Sequence, residues 1–245
     1  MDHKINVPSD NKIFVKTQAY IKLKSVLEDL KYKRGNVIHV IGTPGTGKSA
    51  NIYHAIDELG LKVYNVECNL KDLSATPQEV FKTIIDDIKK SLDVKRKYEA
   101  YRRLSDFDAI LFADRFHDNH LLKDDVHGFS EWTLKSKRTP YFYLLCIREY
   151  LKYREMFKNL NIIFQTAWRL KLGDRKYDIF TDIPLLSGIF SKILGTIFTV
   201  VRIEYTPKET IKIVKAHLDI EDWKIKKYIK VYGCRPRYIL DKLKG

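Results

Sequence analysis

The chain has 245 residues, 44% of them hydrophobic, so it is neither disordered nor collagen-like and has room for one good-sized core, or a core with a small appended domain. Lys and Arg number 45 against 31 Asp and Glu, a formal charge of +14, and an excess of that size points to a polyanionic partner, usually nucleic acid. Three cysteines lie far apart without a C-x-x-C pairing, which excludes a disulfide framework or zinc ribbon, and no apolar run approaches the ~18 residues of a membrane span, so the expectation is a cytoplasmic protein with no membrane span.

Residues 14–33 place Ala19, Leu23, Val26, Leu27 and Leu30 at helical spacing, and Gly35 stops the helix. Residues 36–41 (NVIHVI) form a short β-branched run, the first strand, leading into a glycine loop. Residues 49–59 read as a helix with Gly60 as its C-cap, and residues 62–67 (KVYNVE) as a second strand. Thr76-Pro77-Gln78-Glu79 combines a capping box with Pro at the first helical position. It predicts one long helix running towards Leu104.

Residues 109–113 (AILFA) are a third strand, ending at Asp114, and residues 115–139 are polar and without period. Pro140 begins an aromatic-rich helix. Residues 161–164 (NIIF) read as a fourth strand and residues 196–204 (TIFTVVRIE) as a fifth. The apolar stretch 183–201 is broken by Ser187, Gly188, Ser191, Lys192 and Gly195 and reads as buried core. A second box, Thr206-Pro207-Lys208-Glu209, opens a run of helices to the C-terminus, with Gly233 and Pro236 separating the last two.

Strands alternating with helices predict an α/β fold: a parallel sheet flanked by helices in three layers (α/β/α), then a small all-helical C-terminal segment. The implied domains are 1–35, an N-terminal helical extension; 36–205, the sheet-bearing core; and 206–245, the helical segment.

Gly42-Thr43-Pro44-Gly45-Thr46-Gly47-Lys48-Ser49 fits G-x-x-x-x-G-K-[ST], between a strand and a helix. The glycines let the loop turn its backbone N–H groups around phosphates, and the helix that follows, with Ala50 next in line, adds the positive end of its dipole. Lys48 is placed for the β- and γ-phosphates, and the Ser49 hydroxyl for Mg²⁺. Asp114, at the end of an apolar strand, is the candidate second ligand for Mg²⁺. ATP and Mg²⁺ are therefore the expected cofactors. Motor ATPases usually follow that aspartate with a glutamate; here Arg115 stands instead, so hydrolysis is expected to be slow or to draw its base from elsewhere.

The N-terminal helix, GTPGTGKS, AILFAD, NIIFQTA and the closing helices with YGCRPRYIL occur in this order. Together they resemble an AAA+-type P-loop ATPase, in particular the archaeal ATPase and Orc/Cdc6-like or DnaA-like initiator branches. The resemblance implies that Gln165 or Thr166 is the sensor 1 residue, a polar side chain between the acidic site and the γ-phosphate. It implies that the C-terminal helices are a lid, with Arg237 or Arg235 as the sensor 2 cation, and that a homo-oligomer completes the site in trans, with Arg169 and Arg175 as candidate fingers.

Within the polar stretch, Phe129 and Trp132 followed by Lys135, Lys137 and Arg138 suit a nucleic-acid backbone and stacked bases. The spacing of His117, His120 and His127 matches no standard metal-ligand set. The leading expectation is a DNA-associated ATPase in which ATP switches oligomerisation or DNA engagement. A nucleotide kinase is the alternative, because Asp114-Arg115-Phe116 is similar to the D-R-[YF] stretch of thymidylate kinases. A further alternative is a DNA-packaging motor, with Gln165 as its coupling residue.

Overall fold

The fold comes from a computed structural model that describes residues 13–112, 126–135, 138–165, 169–172, 175–178 and 184–244. Five strands build the main sheet: β1 (Val37–Ile41), β2 (Val63–Asn65), β4 (Ala109–Phe112), β6 (Ile162–Gln165) and β9 (Thr199–Arg202). They pair in the order β2-β4-β6-β1-β9. The register sets Val63 beside Ala109, Ile110 beside Ile162 and Ile38 beside Thr199, each in a parallel ladder. The fold class is the expected one, a five-stranded parallel sheet flanked by helices with further helices after it. Short antiparallel pairs add β3 (Asn69–Leu70) with β5 (His127–Gly128), and β7 (Arg169–Leu172) with β8 (Arg175–Asp178).

The chain divides into two compact units. One contains Leu30–Val37 and Leu61–Phe164. Its helices are α3 (Pro77–Ser91), α4 (Lys97–Leu104), α5 (Phe129–Lys135), α6 (Thr139–Lys152) and α7 (Arg154–Phe157). The capping box at α3 forms: Thr76 Oγ1 accepts from Glu79 N at 3.3 Å, and the Glu79 carboxylate accepts from Thr76 N at 2.7 Å. The single helix expected from Thr76 to Leu104 is instead two. After Ser91 the chain turns through Asp93, whose φ of 51° is left-handed, and α4 restarts at Lys97. A left-handed residue cannot continue a right-handed helix.

The core of this unit gathers Val80, Ile84 and Ile88 from α3, Tyr101 and Leu104 from α4, Ile110 and Ile162 from the sheet, and Phe142 from α6. Trp132 belongs to the same core. It is fully buried, donates its indole N–H to the Ala75 carbonyl at 2.8 Å, and stacks 5.7 Å from Phe129. The expectation that this tryptophan offers a face to bases is corrected: on α5 its ring lies inside the protein.

Asn161 ties the unit together just before β6. Its Oδ1 accepts from Asn36 N, and its Nδ2 donates to the carbonyls of Lys33 (2.7 Å) and Asp108 (2.9 Å). The side chain is 1% exposed, so these bonds satisfy an amide that burial alone would penalise.

The second unit holds residues 13–29, together with Ile38–Gly60 and the described residues from Gln165 onward. Helix α1 (Gln18–Glu28) packs on α2 (Lys48–Leu59), burying Tyr20, Leu23 and Leu27. Helix α8 (Pro184–Ile197) leads into β9, so the fifth strand begins at Thr199 rather than at residue 196. Helices α9 (Pro207–His217), α10 (Asp222–Tyr232) and α11 (Pro236–Lys244) enclose a small core of Val214, Ile225 and Ile239. The second capping box forms at α9, with Glu209 N donating to Thr206 Oγ1 at 3.2 Å. The same glutamate accepts from Gln18 N at the start of α1 at 3.1 Å. Among the described residues no helix is long and apolar enough to cross a membrane.

Candidate functional site

Strand β1 runs directly into the glycine loop, and α2 begins at Lys48 on its far side. Two glycines of the loop have no room for a side chain. A Cβ at Gly42 would lie 2.6 Å from the Ile203 carbonyl oxygen, closer than a Cβ carbon approaches a backbone oxygen. Gly45 has φ +90°, and a Cβ there would also meet the Tyr238 ring at 3.2 Å; only glycine adopts that backbone without strain. Thr46 closes the loop, its N donating to the Thr43 carbonyl at 3.2 Å and its Oγ1 to the same oxygen at 2.8 Å.

The helix that follows is prepared for an anion. Helices α1, α3 and α9 are capped by the side chains of Thr17, Thr76 and Thr206. The N-cap of α2 is Gly47, which has no side chain to spend on the first-turn N–H groups, and no acidic residue lies in that turn. The donors and the dipole are therefore directed at the loop. Lys48 is only 6% exposed, and its Nζ donates to the Gly42 carbonyl at 2.5 Å. A buried ammonium held by loop carbonyls is positioned to exchange them for phosphate oxygens. Asn51 braces the second turn: its Nδ2 donates to the Gly47 carbonyl at 2.9 Å and to the Tyr205 hydroxyl at 2.8 Å. Burial pushes the Tyr205 phenol up to about 12, so it stays neutral there.

Ser49 Oγ donates to Gln165 Oε1 at 2.9 Å. Gln165 is the last residue of β6, and β6 lies between β4 and β1 in the sheet order. Of the two sensor 1 candidates, Gln165 thus meets the loop's serine; Thr166, Asp114 and Arg115 lie outside the described residues.

The C-terminal helices reach the loop by backbone and ring. Arg237 N donates to the Gly45 carbonyl at 3.1 Å, and the Tyr238 ring packs on Gly45. The Arg237 side chain is exposed, and the Arg235 guanidinium sits 5.9 Å from the Tyr238 ring centroid. Sequence reasoning read YGCRPRYIL for its arginines and missed Tyr238, because an aromatic beside two cations carries no signal of which backbone it will cover. Asn51 was missed too. Its offset of four from Gly47 is the only trace the motif leaves.

Beyond the loop, Glu58 near the end of α2 accepts from Tyr20 Oη at 2.5 Å, Lys24 Nζ at 2.5 Å and Lys16 Nζ at 3.0 Å. The Lys24, Tyr20 and Lys16 hydrogen bonds hold its carboxyl down at about 2.

No protein-family model matches the chain, and neither does any curated protein. Among solved structures it is similar to a Walker-type ATPase of Pyrococcus abyssi at 13% identity, over 93% of this chain and 66% of that one, with a TM-score of 0.44. It is also similar to the DnaC helicase loader at 11% identity, over 79% of this chain and 96% of the loader, with a TM-score of 0.36. This chain therefore spans just under two thirds of the first of them.

Proposed function

We propose that the protein is an AAA+-type ATPase, of the archaeal ATPase or initiator kind, that works on or with DNA. The observation that carries the proposal is the Ser49–Gln165 hydrogen bond, because it brings a polar residue from the end of the fourth core strand to the loop's metal-binding hydroxyl. The uncapped start of α2 and the buried Lys48 suit a nucleotide triphosphate. In this reading residues 36–205 are the ATPase core and residues 206–245 its lid.

Gly42–Ala50 would hold the phosphates of ATP, with Ser49 and Asp114 as ligands for Mg²⁺, which supplies positive charge against the phosphate oxygens when bound. Lys48 neutralises charge on the phosphates from the protein side. Gln165 orients a water, and Arg237 or Arg235 offsets charge that develops during transfer. The formal charge of +14 supports DNA as the partner. ATP then switches oligomerisation or DNA engagement.

The test is ATP turnover with and without DNA at low salt, alongside a panel of nucleoside monophosphates as acceptors. Hydrolysis with no monophosphate phosphorylated is the expected result. Phosphate transfer to any monophosphate replaces this reading with a kinase. Lys48→Ala is the control, because it should abolish nucleotide binding or turnover under either reading.

A further inference from the structure

We propose that the outer face of α10 is a binding surface for single-stranded nucleic acid, with Trp223 as the stacking platform and Lys226, Lys227 and Lys230 as the phosphate contacts. The inference rests on the nucleic-acid half of the proposed function and names where on the chain the strand sits.

Helix α10 has two faces. Ile225 is fully buried in the small core with Val214 and Ile239, and Ile229 packs against it. At 100° per residue, Lys226, Lys230, Trp223, Lys227 and Val231 follow one another around the opposite side. All are exposed, Trp223 to 60% and Val231 to 69%.

The acids at this end of the helix are engaged. Asp222 pairs with Lys215 at 2.9 Å, and Glu221 accepts the Trp223 indole N–H at 2.6 Å. The second contact fixes the edge of the ring. Lys224 Nζ lies 5.5 Å from its centroid. What faces water is an indole held at its edge by the Glu221 carboxylate, with the ammonium groups of Lys224, Lys226, Lys227 and Lys230 on the same helix.

A large aromatic ring in that setting suits unpaired bases, each of which presents a π-face to stack, while lysines track the phosphates without reading sequence. A duplex keeps its bases stacked on each other and gives the indole nothing to cover. A membrane surface is disfavoured because the isoleucines of α10 are spent inside the protein, leaving one tryptophan and one valine outside.

The experiment titrates the full chain into a fluorescein-labelled oligo-dT strand, its duplex, and vesicles rich in anionic lipid, from about 50 to 200 mM salt. Trp223→Ala should weaken oligo-dT binding about tenfold, and Trp223→Phe should retain most of it. Lys226→Gln, Lys227→Gln and Lys230→Gln together should flatten the slope of log affinity on log salt by about 2. The far-ultraviolet circular dichroism spectrum and the thermal midpoint should stay close to wild type in every variant, which shows that each has folded.

Binding unaltered by all of these changes places the strand elsewhere and overturns the inference while leaving the proposed function standing. Loss in the lysine variant with Trp223→Ala like wild type, or capture of vesicles in preference to oligo-dT, also overturns it. A wild-type protein that binds no nucleic acid at low salt removes the nucleic-acid half of the proposed function as well.

Discussion

Ser49 on the first turn of α2 and Gln165 at the end of β6 share a hydrogen bond of 2.9 Å, although 116 residues separate them in the chain. The hydroxyl that the loop motif assigns to a metal is thereby held by the side chain at the end of a different strand. If Gln165 acts on the reaction, Gln165→Ala lowers turnover about a hundredfold while nucleotide affinity stays within a few-fold. Steady-state hydrolysis beside a nucleotide-binding titration separates the two. A raised KM at constant kcat would instead make Gln165 a ground-state contact.

Gly45 meets two constraints at once, its φ of +90° and the Tyr238 ring at 3.2 Å from where a Cβ would stand. Gly45→Ala should therefore destabilise the protein by about 1–2 kcal/mol through backbone strain alone. Removing the ring in the Gly45→Ala/Tyr238→Ala double variant relieves the contact and not the φ. Chemical denaturation should find the double variant still less stable than Tyr238→Ala. Recovery to the Tyr238→Ala level would show that the ring, and not the backbone, sets the cost.

Asn161 is the amide on which the turn after residue 30, Asn36 and the start of β4 converge. Asn161→Ala leaves several buried backbone groups without a partner and should cost about 2–4 kcal/mol. Asn161→Asp should not rescue it, since a carboxylate has no N–H to give and carries charge into a buried site. Equilibrium urea unfolding of both variants tests this, and a near-native aspartate variant would contradict it.

Acid should expose the Glu58 cluster. Its carboxyl is held at about 2 in the folded chain against an ordinary 4.5, so the unfolded state binds the extra proton between those values. The stabilisation is complete above about 4.5 and is lost as pH falls towards about 2. Glu58→Gln should be less stable than wild type at neutral pH, with the difference closing through that window. Denaturation midpoints measured across it would show parallel curves if the cluster contributed nothing.

Much of the fold was legible. Both Thr-Pro-x-Glu boxes stand where their spacing puts them, and the β-branched run before Gly42 is β1. The break after Ser91 was not, because it turns on one left-handed residue, Asp93, inside a stretch whose periodicity continues. The pairs β3–β5 and β7–β8 are two to four residues long, too short for an alternation to register. Trp132 misled in the other direction, since polar neighbours surround in sequence a ring that is wholly buried in space.

The sequence by itself determined the loop. Eight consecutive residues carry the glycines, the lysine and the serine at the spacing a phosphate-binding loop needs, so the motif is complete in the sequence. Only the tertiary structure decided what faces the loop. Gln165 meets Ser49 across 116 residues of chain, and Tyr238 reaches Gly45 because α11 is anchored through Ile239 in the core of the C-terminal helices. Both contacts join residues more than a hundred positions apart, a distance that local pattern does not encode.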